Sequence, residues 1–221
     1  KVNNTLAGYL GTNNASATAF GYNADAAIVW ATGTTAIGSK AQAVNNNATA
    51  IGSNAYAVAN STVLGASANA SGQNATALGS TASATSNDAV AIGSGASAKS
   101  QEGIAIGKGT NVDVKNNGIA IGSGASANSQ DGIAIGTAAK VLTYDQAIAI
   151  GSSSSASGYQ STALGNGAKA TAQNATAIGN GAVANTANTV ILGSGANVGI
   201  GTSAPQNKLE ITQGTDGHSG L

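Results

Sequence analysis

The chain has 221 residues, of which alanine supplies 48 and glycine 32, against one Trp, one Phe, five Tyr and no Met, Cys or Arg. That composition excludes a conventional interior of interlocking large side chains and any thiolate or disulfide chemistry. Charged residues make up 7% and cancel to zero net charge. A nucleic-acid partner, which needs a basic surface to neutralise phosphates, is therefore not expected. Nor is disorder driven by charge repulsion.

The amino terminus shows no signal peptide, and no apolar run approaches the ~20 residues of a membrane-spanning helix. The sequence starts at Lys1 and contains no Met, as expected of a processed product or a piece of a longer chain. The first 32 residues are the least regular. Gly21 with Ala24 and Ala26 fits the repeat described below, and residues 27–30 read as a small insertion. Tyr9, Phe20, Tyr22 and Trp30 cluster there. They are expected to form a lid over the end coil, with an aromatic ligand patch as the alternative.

From residue 33 a repeat governs the chain. An aliphatic residue followed by Gly recurs at Gly38, Gly52, Gly65, Gly79, Gly93, Gly107, Gly122, Gly136, Gly151, Gly165, Gly179 and Gly193, in steps of 13 to 15 residues. The residue before each Gly is Ile37, Ile51, Leu64, Leu78, Ile92, Ile106, Ile121, Ile135, Ile150, Leu164, Ile178 or Leu192. Two before it stands Ala, or Val63 or Ile191, and three before it Thr, Val or Ile. β-Branched residues suit a pleated strand, so this segment reads as a short strand closed by a turn. Three and five residues after the Gly, Ala dominates, as in Ala55 and Ala57, with a variable residue such as Tyr56, Lys140 or Lys169 between. That period-two alternation predicts a second strand with one small-residue face and one wet face.

A unit of ~14 residues with two short strands cannot fold alone but can stack, each coil hydrogen-bonding the next. The predicted fold is all-β, a parallel solenoid of such coils. Five residues before each Gly runs a polar ladder: Asn47, Asn60, Asn74, Asp88, Glu102, Asn117, Asp131, Gln146, Gln160, Asn174 and Asn188. Asn and Asp tolerate left-handed turns and bond local backbone, and stacked amides bond one another. A structural ladder is expected. The alternative, cation binding at Asp88, Glu102 and Asp131, lacks the nonapeptide of calcium-binding β-rolls.

The strand before each Gly is apolar on both faces, and a two-layer coil covers only one of them. Twelve exposed Ile and Leu side chains would far exceed the apolar patch of a soluble monomer. A further surface must cover them, most economically copies of the same chain in a cyclic assembly. Whether the Ile/Leu stripe or the alanines line the coil interior stays open at this point, so the stripe is assigned to the coil or subunit core.

Asn47-Ala48-Thr49-Ala50-Ile51-Gly52, Asn174-Ala175-Thr176-Ala177-Ile178-Gly179 and the variant Asp88-Ala89-Val90-Ala91-Ile92-Gly93, at this period, resemble the YadA-like head of trimeric autotransporter adhesins. The resemblance covers residues 33–198. It implies a left-handed parallel β-roll, an intertwined homotrimer, a bacterial cell-surface location, and attachment to a receptor or matrix protein. The family's heptad stalk and membrane barrel are missing from this sequence. Asn197 to Ile211 breaks the rhythm, carries the only Pro, Pro205, and is similar to a segment of phage tail fibres and related bacterial fibres. That likeness implies a different parent, a virion or extracellular fibre in which the rod is a passive shaft. Residues 199–221 are thus read as a transition segment and tail, its end from Gln213 expected to be mobile.

No catalytic constellation is expected. His218 is the only His, the carboxylates are scattered at coil spacing, and no base is placed to activate a Ser or Thr. No cofactor or metal is expected. An ice-binding array would want unbroken threonines, and Thr49, Thr62 and Thr76 give way to Val90, Ile104, Ile119, Ile133 and Ile148.

Overall fold

A computed structural model describes residues 9–10, 16–26, 31–113, 117–141 and 144–212. The insertion expected at 27–30 and the tail from Gln213 lie outside them. Each coil contributes a three-residue strand ending at Ile or Leu and, after a corner, a two-residue strand centred on the variable position. The three-residue strands run from Thr18–Phe20 to Val190–Leu192 and stack in chain order into one parallel sheet; the two-residue strands, Gln42–Ala43 to Val183–Ala184, stack into a second. The result is a parallel β-solenoid with thirteen strands along the first sheet. Its length is about 58 Å at the ~4.8 Å spacing of hydrogen-bonded strands.

The stacking is in register. Thr49, Ala50 and Ile51 pair with Thr62, Val63 and Leu64, and Ile104, Ala105 and Ile106 pair with Ile119, Ala120 and Ile121. Coils of 13 and 15 residues keep this pairing, so length variation is absorbed at corners rather than by slipping the strands, which would turn every side chain to the wrong face.

Two corners per coil use left-handed backbone. One is the polar ladder, whose members from Asn47 to Asn188 all have φ between +54° and +62°. The other lies two residues after each turn glycine from Gly21 to Gly179, at Asn54, Ser67, Thr81, Gly95 and their equivalents, with φ between +52° and +66°. Asn and Gly reach this region at least cost.

The interior is built mainly of methyl groups, with buried hydroxyls at positions such as Ser61, Thr110 and Ser161. Ala48, Ala50, Ala55 and Ala57 in one coil, and their counterparts along the rod, are fully buried. The largest fully buried side chains are Val63, Val112 and Val141. Alternation within each short strand decides this. The middle residue points inward, and its neighbours, Ile or Leu and Thr, Val or Ile, point outward. The alanines therefore line the coil, and the Ile/Leu stripe lies outside it.

Where the interior holds a larger residue, glycine makes room. A Cβ on Gly118 would lie 2.6 Å from Cγ1 of Val112, and one on Gly132 would lie 3.1 Å from Cγ1 of Val141. Most other coils place Ala at both positions. Gly118→Ala is therefore expected to destabilise the protein by ~1–3 kcal/mol through overpacking. Adding Val112→Ala is expected to recover most of that loss. Urea unfolding of the two single variants and the double variant reads the coupling.

At the amino-terminal end Tyr9–Leu10 pairs antiparallel with Thr18–Phe20, covering the sheet edge that would otherwise offer unpaired backbone. The lid expected of the aromatics takes a different form for Phe20. It pairs with Ile37, heads the outward Ile/Leu column and is exposed, as is Tyr22. Backbone pairing, not aromatic packing by these two residues, closes this edge. The side chains of Tyr9 and Trp30 lie outside those described.

Beyond Leu192 the solenoid stops. Val198–Ile200 pairs in parallel with Leu209–Ile211 in a separate two-stranded sheet. Asn197 Nδ2 donates to the carbonyl of Pro205 at 3.0 Å, and Lys208 Nζ donates to the carbonyl of Gly195 at 2.7 Å. These bonds hold the crossing segment against the sheet.

Candidate interaction surfaces

The outer face of the first sheet carries two columns. The first consists of Ile37, Ile51, Leu64, Leu78, Ile92, Ile106, Ile121, Ile135, Ile150, Leu164, Ile178 and Leu192, each paired with the next along the sheet. None of them is buried; all are half-buried or exposed, Leu64 at 52% and Leu192 at 49%. The second column, three residues before each glycine, is Thr from Thr35 to Thr76. It becomes Val90, Ile104, Ile119, Ile133 and Ile148 and returns to Thr at Thr162 and Thr176. The middle five coils therefore present aliphatic side chains in both columns. No element among the described residues covers this face.

The second sheet presents the opposite chemistry. Its outward column reads Gln42, Tyr56, Asn69, Ser83, Ser97, Asn111, Ser126, Lys140, Ser155, Lys169 and Val183. Lys140 and Lys169 are exposed and flank Ser155 in register. A column that repeats one residue class has a packing role. A column that changes from coil to coil has no common packing partner and faces water. The ion pair of Lys99 with Asp113, at 3.1 Å, sits at the adjoining corner. Both groups are well exposed, so it contributes little to stability.

The polar ladder bonds coil to coil. Asn47 Nδ2 donates to Asn60 Oδ1 at 3.1 Å, Asn74 Nδ2 to Asp88 Oδ1 at 2.9 Å, and Asn117 Nδ2 to Asp131 Oδ1 at 2.9 Å. Gln160 Nε2 donates to Gln146 Oε1 at 2.9 Å, and Asn174 Nδ2 to Asn188 Oδ1 at 2.8 Å. Asp88 and Asp131 each give an oxygen to an amide of the preceding coil, and Asp131 also accepts from Gln130 Nε2 at 3.4 Å. Among the described residues no three acidic or imidazole side chains come together. The residues proposed for a cation thus do not converge.

The left-handed corner two residues after the glycine escaped the reading of the repeat. Five of its twelve members are glycines, Gly95, Gly109, Gly124, Gly167 and Gly181. The others include Lys40, Ser67, Thr81, Ala138 and Ser153, which carry no left-handed preference and blur the signal.

A polar depression lies between neighbouring coils, lined by Thr85, Ser86, Asn87 and Gln101. It contains no acid, base or activated nucleophile of the kind hydrolytic or transfer chemistry requires. No helix among the described residues is long and apolar enough to cross a membrane.

A parallel β-solenoid with an alanine interior, an in-register aliphatic face and a variable wet face defines a repeat protein of the solenoid class, in which each coil contacts only its neighbours. Six segments, residues 31–55, 59–82, 84–110, 115–139, 145–168 and 170–196, match the YadA head domain repeat (2 copies), and the chain belongs to that family. The family comprises heads of trimeric autotransporter adhesins, is homotrimeric and is found at the bacterial cell surface. Its repeats are structural adhesin features rather than enzymatic ones. No curated protein matches the chain.

Proposed function

We propose that this chain is the head segment of a homotrimeric bacterial surface fibre and attaches the cell to a receptor or matrix protein. In this reading three copies pack through the Ile/Leu column and its Thr/Val/Ile neighbour, and the variable face of the second sheet points outward to the partner. The observation that carries it is the division of labour between inside and outside: inward positions are mostly Ala, with Val at Val63, Val112 and Val141, while the Ile/Leu column stands outside in register. Fully burying an exposed Ile or Leu is worth ~1.5–3 kcal/mol, so covering this face favours association.

Light scattering on a size-exclusion column is expected to give three times 20.8 kDa. A folded monomer overturns the shared core. Surface binding of the trimer to matrix proteins and cell envelopes is expected to saturate, and the double variant Lys140→Glu, Lys169→Glu to weaken it. Absence of saturable binding to any of them sinks the adhesin reading.

A second reading is a passive shaft of a phage or bacterial fibre. The separate two-stranded unit after Leu192, where the rod changes architecture, favours it. Loss of attachment after deletion of whole coils, with fibre length restored elsewhere, counts against it.

A further inference from the structure

The two-stranded unit at 198–211 has one face partly overlaid by its own connecting segment and one largely bare face. In a parallel pair, residues opposite each other project to the same side. Val198 pairs with Leu209 and Ile200 with Ile211, so these four side chains share one face, and Gly199 and Glu210 share the other. The segment between the strands overlies the second face. A Cβ on Gly199 would lie 2.6 Å from the carbonyl oxygen of Thr202 and 3.4 Å from Cγ of Pro205. Glu210 Oε2 accepts from the backbone N–H of Gln206 at 2.6 Å.

Three of the four side chains on the first face are bare, and Val198 is half-buried. Ile200 is 54% exposed, Leu209 58% and Ile211 44%. No charge points into it, since Glu210 is engaged by Gln206 and Lys208 by the carbonyl of Gly195. A two-stranded sheet is at best marginally stable alone, so this one needs a partner surface.

We infer that the bare face of residues 198–211 packs against its own copies, forming a second self-association cluster that clamps the three chains where the solenoid ends. The repeated residue order of the stripe selects that occupant over a foreign partner. Val198-Gly199-Ile200-Gly201 repeats the outward–inward–outward–Gly order of Val190-Ile191-Leu192-Gly193. It thus presents the same pair of outward aliphatic positions eight residues further on. Gly193 and Gly201 also share a φ near +75°, at +73° and +76°, whereas the turn glycines from Gly38 to Gly179 lie between +117° and +153°. The last solenoid strand and the first strand of the clamp thus end in matching turns. The inference rests on the homotrimer proposed above.

The chain has no Cys, so single-Cys variants of the whole chain report proximity cleanly. Ile200→Cys and Leu209→Cys, treated with a short bis-maleimide at low protein concentration, are expected to give covalent dimers and trimers. Their yield is expected to exceed that of Ser203→Cys, exposed in the segment over the other face, by at least about tenfold, because tethering in one assembly raises the effective thiol concentration. Light scattering on the same samples separates the two proposals. A mass of three chains with no cross-linking of Ile200→Cys or Leu209→Cys, or with equal cross-linking of Ser203→Cys, overturns the clamp and leaves the homotrimer standing. A mass of one chain for the unsubstituted protein overturns the homotrimer and the clamp together.

Discussion

Ile106→Asp is expected to remove the trimer from solution at micromolar concentration, shifting the light-scattering mass from three chains to one or to an unfolded, aggregating species. Ile106 sits at the centre of the outward column, paired with Ile92 on one side and Ile121 on the other. Its coil also carries Ile104 in the second column, so the surrounding face is aliphatic in every direction along the sheet. A threefold assembly brings three such positions toward one axis, and the substitution would place three carboxylates there. Each loses the ~1.5–3 kcal/mol of a buried Ile, and each must either shed its water without a partner or take up a proton.

The same substitution at Lys140, on the second sheet, is expected to leave the mass unchanged, because that side chain is exposed. Ile51→Asp is expected to be milder than Ile106→Asp. Its coil carries Thr49 beside it, and the Thr hydroxyls of that end can hydrogen-bond a carboxylate or its water. Equal masses and equal melting temperatures for Ile106→Asp and Lys140→Asp would mean that the aliphatic face is not shared between chains.

Much of this architecture is legible in the residues because the repeat averages over accidents. One coil with Ala at three and five residues after a glycine is a weak statement; a dozen coils spaced alike fix strands, corners and stacking together. The identity of the inward face was not legible. Ala and Ile alternate in a strand three residues long, and both are apolar, so period alone assigns them to opposite faces without saying which is inside. The decision comes from geometry. Two sheets joined by corners of a few residues lie too close for opposed Ile side chains, and methyl groups are what fit.

Phe20 misled for a related reason. Aromatics near a chain end suggest a cap, but its place one residue before Gly21 puts it in the outward column with Ile37. The two-stranded unit was visible only as a break in rhythm. Its pairing joins Val198 to Leu209 across a segment with no periodicity, and nothing local specifies that register.

The turn glycines make a sharper test of the stacking itself, through two substitutions in one coil. Gly122 has φ +125°, and a Cβ there would lie 2.6 Å from both the carbonyl carbon and oxygen of Gly136 in the next coil. Both atoms are backbone, held by the bond from the N–H of Gly136 to the carbonyl of Ile121 at 2.8 Å. They cannot move aside without breaking the ladder. Gly122→Ala is expected to cost more than ~4 kcal/mol, within the exceptional range for a point substitution, from the clash and the unfavourable φ together. Gly124, two residues on, also has positive φ, at +65°, but a Cβ there meets nothing within 4 Å. The equivalent position in the next coil is Ala138, at φ +56°. Gly124→Ala is therefore expected to cost only ~1–2 kcal/mol, the left-handed penalty of an L-residue. Urea unfolding at fixed protein concentration reads both, since a trimer's midpoint depends on concentration. Comparable losses for the two variants would show that coil-to-coil contact at the glycine column is looser than the ladder requires. A gap of several kcal/mol would mean that glycine is needed at Gly122 for the approach of the next coil, and at Gly124 only for its turn.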